Sequence, residues 1–284
     1  MTRRLTATPA DPSAPAAQLG EGPAWDAAGR RLIWIDILGG LVHFADASGV
    51  VERTVEVGTH VGAALPAADG GLLLAIRGGF ATLDAAGTVT PLLDVLADRP
   101  DLRFNDAKCD PRGRAFAGTM SYDEASRGEA TLYRLEDGPV AAPVFAEVSL
   151  SNGLGWSPDG ATMYYVDTPT QRITAFDYDL ENGTPSGGRL FAEVPADQGV
   201  PDGMCVDERG GVWVAVHGGS AVLRHTPDGR LDTVVELPVE KATSCAFGGP
   251  DGDILFITAT TGLYTVRPGV AGAPATPWQP VSAG

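Results

Sequence analysis

A chain of 284 residues, 44% of them hydrophobic, has the composition of a globular protein able to bury about three quarters of its unfolded surface. Thirty-six acidic residues against 20 basic ones leave a formal charge of −16, a field that repels phosphate backbones and so excludes nucleic acid and anionic membrane as partners. The three cysteines, Cys109, Cys205 and Cys245, have no paired spacing; they read as buried free thiols of a soluble, cytoplasmic protein, with neither a signal-peptide core nor a bilayer-length apolar run.

The 37 glycines and 22 prolines recur at turn positions along the chain. One pattern repeats six times: a polar residue with a glycine, a short apolar run, a tight turn, then a run rich in β-branched and aromatic residues. The clearest copy is Ser151–Asp167, where Ser157-Pro158-Asp159-Gly160 makes the turn. Aligned on the turn glycine, the copies fall at Gly29, Gly70, Gly113, Gly160, Gly210 and Gly252, at spacings of 41, 43, 47, 50 and 42. A period in the forties is that of a four-stranded propeller blade.

In chain order, the strands after these turns are Arg31–Asp36, Leu72–Arg77, Arg114–Met120, Thr162–Asp167, Val212–His217 and Asp253–Thr258. Third strands are Leu41–Ala45, Phe80–Asp84, Thr131–Leu135, Arg172–Tyr178, Val222–His225 and Leu263–Val266. Outer strands are read at Val51–Val57, Val144–Val148, Leu190–Val194 and Leu231–Leu237, and Asp94–Asp98 as one turn of helix. The reading is all-β: a six-bladed β-propeller filling residues 1–284 as one domain, and a monomer. The last unit runs out near Pro268, so the N-terminal segment around Leu5–Thr8 is expected to supply its outer strand and remove an exposed edge.

Eight residues before each turn glycine stand Glu21, Gly62, Asn105, Asn152, Asp202 and Ser244. First strands line a propeller's channel, so these six positions form one ring. Two carboxylates and two amides converging there require a compensating cation. Oxygen donors suit calcium, magnesium or manganese, and carboxylates also serve zinc and ferrous iron. Such a cation polarises a carbonyl and activates water, and a neighbouring carboxylate moves the proton. Metal-assisted hydrolysis follows. The chain has no Gly-x-Ser-x-Gly elbow, Cys-x-x-Cys, phosphate-binding glycine loop or HExxH. His43 and His225 fall in third strands as structural residues; His60 and His217 lie at the channel mouth.

Leu19-Gly20-Glu21-Gly22-Pro23-Ala24-Trp25-Asp26 resembles the opening signature of the gluconolactonase/regucalcin (senescence marker protein) family. So do Arg103-Phe104-Asn105-Asp106-Ala107-Lys108-Cys109-Asp110-Pro111, Ala117–Met120, Ser151–Ser157, Pro201–Met204 and Thr243–Gly249, a match over nearly the whole chain. The resemblance implies a six-bladed propeller that hydrolyses sugar-acid lactones with one divalent metal. It implies Glu21, Asn152 and Asp202 as metal ligands, Asp202 as the proton-handling residue, and Arg103, Asn105 and Asp123 as substrate contacts. Ala107 departs from the glycine common in relatives, and Asp123 sits in a variable loop. Pentono- and hexonolactones fit equally. The alternatives are a promiscuous esterase or organophosphate hydrolase on the same site, and a non-catalytic calcium-binding propeller.

Overall fold

Every blade begins with strands that are apolar on both faces. Leu72–Ile76, for instance, buries its first four residues, Leu, Leu, Leu and Ala. A strand buried on both faces must sit inside a stack of sheets, and blades packed face to face around an axis provide that stack. The computed structural model describes residues 2–11, 16–123 and 125–280 and shows this arrangement: six sheets whose inner three strands run antiparallel in sequential order from the axis outward.

Blade one comprises Gly20–Asp26, Arg31–Asp36, Leu41–Ala45 and Val51–Glu56. Blade two comprises Val61–Pro66, Leu72–Ile76, Gly79–Leu83 and Val89–Asp94. Blade three follows with Leu102–Cys109, Ala115–Ser121, Ala130–Glu136 and Val140–Val148, and blade four with Ser151–Trp156, Thr162–Asp167, Arg172–Asp179 and Thr184–Glu193. Blade five holds Val200–Val206, Val212–His217, Ala221–His225 and Leu231–Glu236. Blade six holds Ala242–Gly248, Ile254–Ala259 and Gly262–Val266. The core lies between blades: Ile33, Ile35 and Val42 of blade one pack with Leu72, Leu74 and Leu83 of blade two.

In blades three and five the turn after the first strand is built by the side chain of its opening residue. In blade five the Asp207 carboxylate is fully buried; one oxygen accepts the Arg209 and Gly211 N–H groups. The other accepts Trp213 Nε1 at 2.9 Å and Arg224 Nε at 2.7 Å. Asp110 does the same in blade three, binding Arg114 and the Tyr178 hydroxyl of the next blade. One acid thus satisfies the turn backbone and ties the outer strands to the inner ones.

The chain ends differ from the sequence reading in detail. Thr8–Pro9 is the outer strand of blade six, pairing with Thr265 and Tyr264, so the N-terminal segment does close the ring. Leu5, however, lies in Arg3–Thr6, which pairs in parallel with Thr233–Glu236 as a fifth strand on blade five. The segment therefore clamps the last two blades, with Ala7 buried between them beside Trp213 and Leu255. Asp94–Asp98 is not a helical turn: Asp94 ends the outer strand of blade two, and Leu96–Arg99 forms a tight turn. That strand, Val89–Asp94, escaped the sequence reading because only its positions 89, 92 and 93 are even half-buried and Pro91 interrupts it. Helix among the described residues is limited to two single 3-10 turns, Thr168–Thr170 and Ala196–Gln198, and none is long and apolar enough to cross a membrane.

Beyond Pro268 the chain forms a strap that sequence reading did not foresee. Ala271 O accepts Glu208 N–H in blade five, Gln279 N–H donates to Gly113 O in blade three, and Trp278 pairs with Pro66 and Ala68 in blade two. These are the first-to-second-strand turns, so the strap crosses the face opposite the channel mouth. Trp278 is 3% exposed and seals the core between blades two and three.

Two outcomes follow. Removing the first ten residues should lower Tm by at least about 5 °C, since both the blade-six edge and the Ala7 contact are lost; an unchanged melting curve contradicts the clamp. His225 is 3% exposed, its Nδ1 has no partner, and burial pulls its pKa down to about 4, with Asp232 opposing weakly. The unfolded chain therefore binds this proton first as pH falls below about 6.5, and stability drops by about 3 kcal/mol on reaching pH 4. His225→Phe should flatten that part of the stability–pH curve measured by urea denaturation; an equal slope would count against it.

Candidate functional site

The ring is made by a defect shared by all six first strands. In each, the pairing register with the second strand slips near the mouth: between Glu21 and Ala24, Val61 and Ala63, Phe104 and Asp106, Asn152 and Leu154, Pro201 and Met204, and Ala242 and Ser244. A bulge re-aims its side chain away from the pleat. Here six bulges occur at one level of the channel, and the strands crowd one another there. A Cβ on Gly62 would lie 2.5 Å from the Phe104 carbonyl oxygen, and one on Gly153 would lie 2.6 Å from that of Asp202. Only glycine lets neighbouring first strands approach this closely.

Hydrogen bonds then run from blade to blade around the mouth. Arg103 Nη1 donates to Asn105 Oδ1 at 2.9 Å and to Phe104 O at 3.0 Å. Asn105 Nδ2 donates to Ser151 O at 3.0 Å in blade four. Asn152 Nδ2 donates to Thr168 Oγ1, which itself donates to Pro201 O of blade five. Thr243, inside the blade-six bulge, donates to Gly20 O of blade one at 2.6 Å. At this position blade six uses its polar residue for structure.

Glu21 and Asp202 are each 8% exposed, and Asn152 is 4% exposed. Burial raises the Glu21 carboxyl well above its usual range, and the charges of Asp202 and Asp106 raise it further; the Gly22 N–H and Arg103 oppose this. Burial likewise raises Asp202, and Asp106 adds to it, against hydrogen bonds from Asn152 and the Gly203 N–H. Two carboxylates from blades one and five therefore feel each other across the channel. Asn152 Oδ1 is buried with no hydrogen-bond partner. Leaving such an acceptor unpaired costs about 1–3 kcal/mol. An orphaned amide oxygen beside two desolvated carboxylates is a donor set that fits one hard divalent cation. Among the described residues no three His, Cys, Asp or Glu side chains form a metal-binding group, so the amide completes the candidate set.

Sequence reasoning passed over Asp106 and Lys108. The bulge between Phe104 and Asp106 breaks the in–out alternation, so Asp106 stays buried at 7% exposure and acts on both Glu21 and Asp202. Burial raises its own carboxyl, and Lys108 lowers it. The Lys108 ammonium donates to Met204 O, two residues past Asp202. The signal was available: Asn105-Asp106-Ala107-Lys108 puts three polar residues into a first strand that the other blades keep mostly apolar.

The remaining sequence candidates separate. Arg103 and Asn105 are buried within the ring region. Asp123 is on an exposed loop, where Oδ1 accepts the Ala125 N–H and Oδ2 the Ser126 hydroxyl. His60 is half-buried at the rim, its Nδ1 2.8 Å from the Tyr122 hydroxyl. His217 ends a second strand in a bridge with Lys241. His43 stacks on Trp34 at 4.1 Å between centroids, a structural contact.

The chain is similar to known proteins over most of its length. A family profile described as "SMP-30/Gluconolactonase/LRE-like region" matches residues 19–261. Regucalcin of Xenopus laevis is 38% identical over 248 residues, covering 85% of this chain and 83% of its own. YvrE of Bacillus subtilis (strain 168), named as a sugar lactone lactonase, is 37% identical over 253 residues, covering 88% of this chain and 86% of its own. The solved structure of a regucalcin from Agrobacterium tumefaciens strain C58, described as a calcium-binding protein, superposes with a TM-score of 0.88 at 27% identity, covering 98% of this chain and 99% of the other.

If Glu21 and Asp202 repel across the channel, neutralising either should stabilise the metal-free protein. Glu21→Gln and Asp202→Asn, measured by urea denaturation in chelator, should each raise stability and show a coupling energy on the order of 1–3 kcal/mol in a double-mutant cycle. Strict additivity would mean that the two groups do not meet.

Proposed function

The chain belongs to the SMP-30/gluconolactonase/LRE-like family, and on that premise we propose that it hydrolyses a sugar-acid lactone to the aldonic acid with one divalent cation in the ring. The observation that carries this reading is the convergence of Glu21, Asn152 and Asp202, from blades one, four and five, with the Asn152 oxygen buried and unpaired.

Those three side chains would hold the cation. When bound, it supplies Lewis acidity that polarises the lactone carbonyl and lowers the pKa of water. Asp202 acts as the proton carrier: it accepts a proton as the water oxygen bonds to the carbonyl carbon. It then returns that proton to the ring oxygen as the acyl–oxygen bond breaks, giving the open hydroxy acid. Arg103, oriented by Asn105 and the Phe104 carbonyl, presents a cationic fork to the oxyanion or to sugar hydroxyls. Asn105 spends one amide proton on Ser151 O and one lone pair on Arg103, leaving a second proton and lone pair for a sugar hydroxyl. Asp123 is the acidic substrate contact that the family resemblance implies.

Oxygen-only donors favour calcium, magnesium or manganese, with zinc and ferrous iron also compatible with the carboxylates. The calcium-binding description of the Agrobacterium relative makes calcium the first ion to test.

Lactone hydrolysis releases acid, so proton release is the direct assay. The protein should lose activity in chelator and regain it on adding a divalent ion. Asp202→Ala should lower kcat at least about 10³-fold and abolish stoichiometric metal binding by calorimetry. Undiminished hydrolysis in Asp202→Ala would remove the mechanism.

A further inference from the structure

At the rim of the channel mouth, beyond the buried carboxylates of the ring, guanidinium groups gather around His60. Between blades one and three, Arg77, Arg103 and His60 come together. His60 is 2.8 Å from the Tyr122 hydroxyl, and the Arg77 guanidinium carbon lies 5.7 Å from the centroid of the Tyr122 ring. Arg77 Nη2 also donates to Pro100 O at 3.2 Å, so a hydrogen bond and an aromatic ring fix its position while the side chain stays exposed. A cavity of about 360 Å³ opens here, lined by Leu38, Glu56, His60 and Arg77 among others.

Arg103 joins this cavity to the ring. Its charge acts on Glu21 and Asp202 on one side and on His60 on the other. Burial, then Arg103 and Arg77, hold the imidazole pKa below its usual value. His60 is therefore neutral near pH 7 and offers a hydrogen bond instead of a third charge. Arg77 lines the cavity beside it, and the charge of Arg103 acts on it as well. Glu56 is the one carboxylate lining the cavity, and Asp123 on the adjoining loop has both oxygens engaged in its own turn. Arg103 and Asn105 already serve the sugar hydroxyls, so the exposed Arg77 guanidinium beyond them is left for an anionic group. Guanidinium forks match carboxylate and phosphate oxygens. A fixed guanidinium at the rim also offsets locally the repulsion that an acidic protein exerts on an anionic substrate.

We propose that this cavity is the subsite for an anionic substituent, and that the preferred substrate is a sugar-acid lactone carrying a carboxylate or phosphate on the carbon chain remote from its lactone carbonyl. This rests on the lactonase reading above. The cavity volume of about 360 Å³ accommodates the tail of a small sugar acid.

The test compares glucono-δ-lactone, its 6-phosphate and a glucarolactone in the proton-release assay with metal present. At least one anionic lactone should exceed the neutral one in kcat/KM by about tenfold or more, and which of the two does so distinguishes phosphate from carboxylate. Arg77→Met should lower kcat/KM for that anionic lactone at least about tenfold more than for the neutral one, through KM, and Arg77→Lys should restore part of the loss. Equal or better hydrolysis of the neutral lactone, or an equal effect of Arg77→Met on all three, overturns the subsite and leaves the lactonase reading standing. No hydrolysis of any of the three overturns the lactonase reading and the subsite with it.

Discussion

The structure turns on an electrostatic debt at its axis. Glu21, Asp106 and Asp202 are carboxylates removed from water, and burial is the largest cause raising each of them. Desolvated like charges destabilise a fold unless something of opposite sign is held among them. Lys108 and Arg103 supply part of the compensation from within the chain, lowering Asp106 in the one case and Glu21 and Asp202 in the other. The unpaired Asn152 oxygen adds a neutral acceptor beside Asp202. A cation placed there would satisfy the amide and both carboxylates together, which is why one set of residues bears on stability and on chemistry alike.

Propeller geometry is what brings these groups together. Glu21 and Asp202 stand 181 positions apart in the chain, yet each begins the innermost strand of its blade. The bulges do the final aiming, and Gly62 and Gly153 allow the strands to crowd closely enough. Around that centre the architecture is rigid by construction. Asp110 and Asp207 lock the turns of the far face, the N-terminal segment clamps blades five and six, and the C-terminal strap spans the turns of blades five, three and two.

Much of this was legible before any coordinates. The period of 41 to 50 residues, the turn glycines and the β-branched second strands carried the six-bladed reading, and Arg31–Asp36, Thr162–Asp167 and Val212–His217 fall where they were placed. Counting back from the turn glycine selected Glu21, Asn105, Asn152 and Asp202 as one ring without reference to any relative. What escaped had physical causes. Val89–Asp94 is an outer strand with little burial, so it lacks the apolar pattern that marks inner strands. Asp106 is brought inward by a bulge, which a strict alternation of period two cannot anticipate. The strap after Pro268 has no periodic pattern and is held by scattered backbone bonds and the single anchor Trp278. The cluster of His60, Arg77 and Tyr122 joins the mouth of blade two to a loop of blade three, a contact no local pattern encodes.

The central claim is that one cation is gripped by oxygens from three blades, and diffraction tests it directly. Crystals soaked in manganese and measured near its absorption edge should show one anomalous peak on the channel axis. It should lie about 2.0–2.6 Å from carboxylate oxygens of Glu21 and Asp202 and from Oδ1 of Asn152. A fully soaked crystal with no peak in the channel, or with its peak on other side chains, would contradict the account.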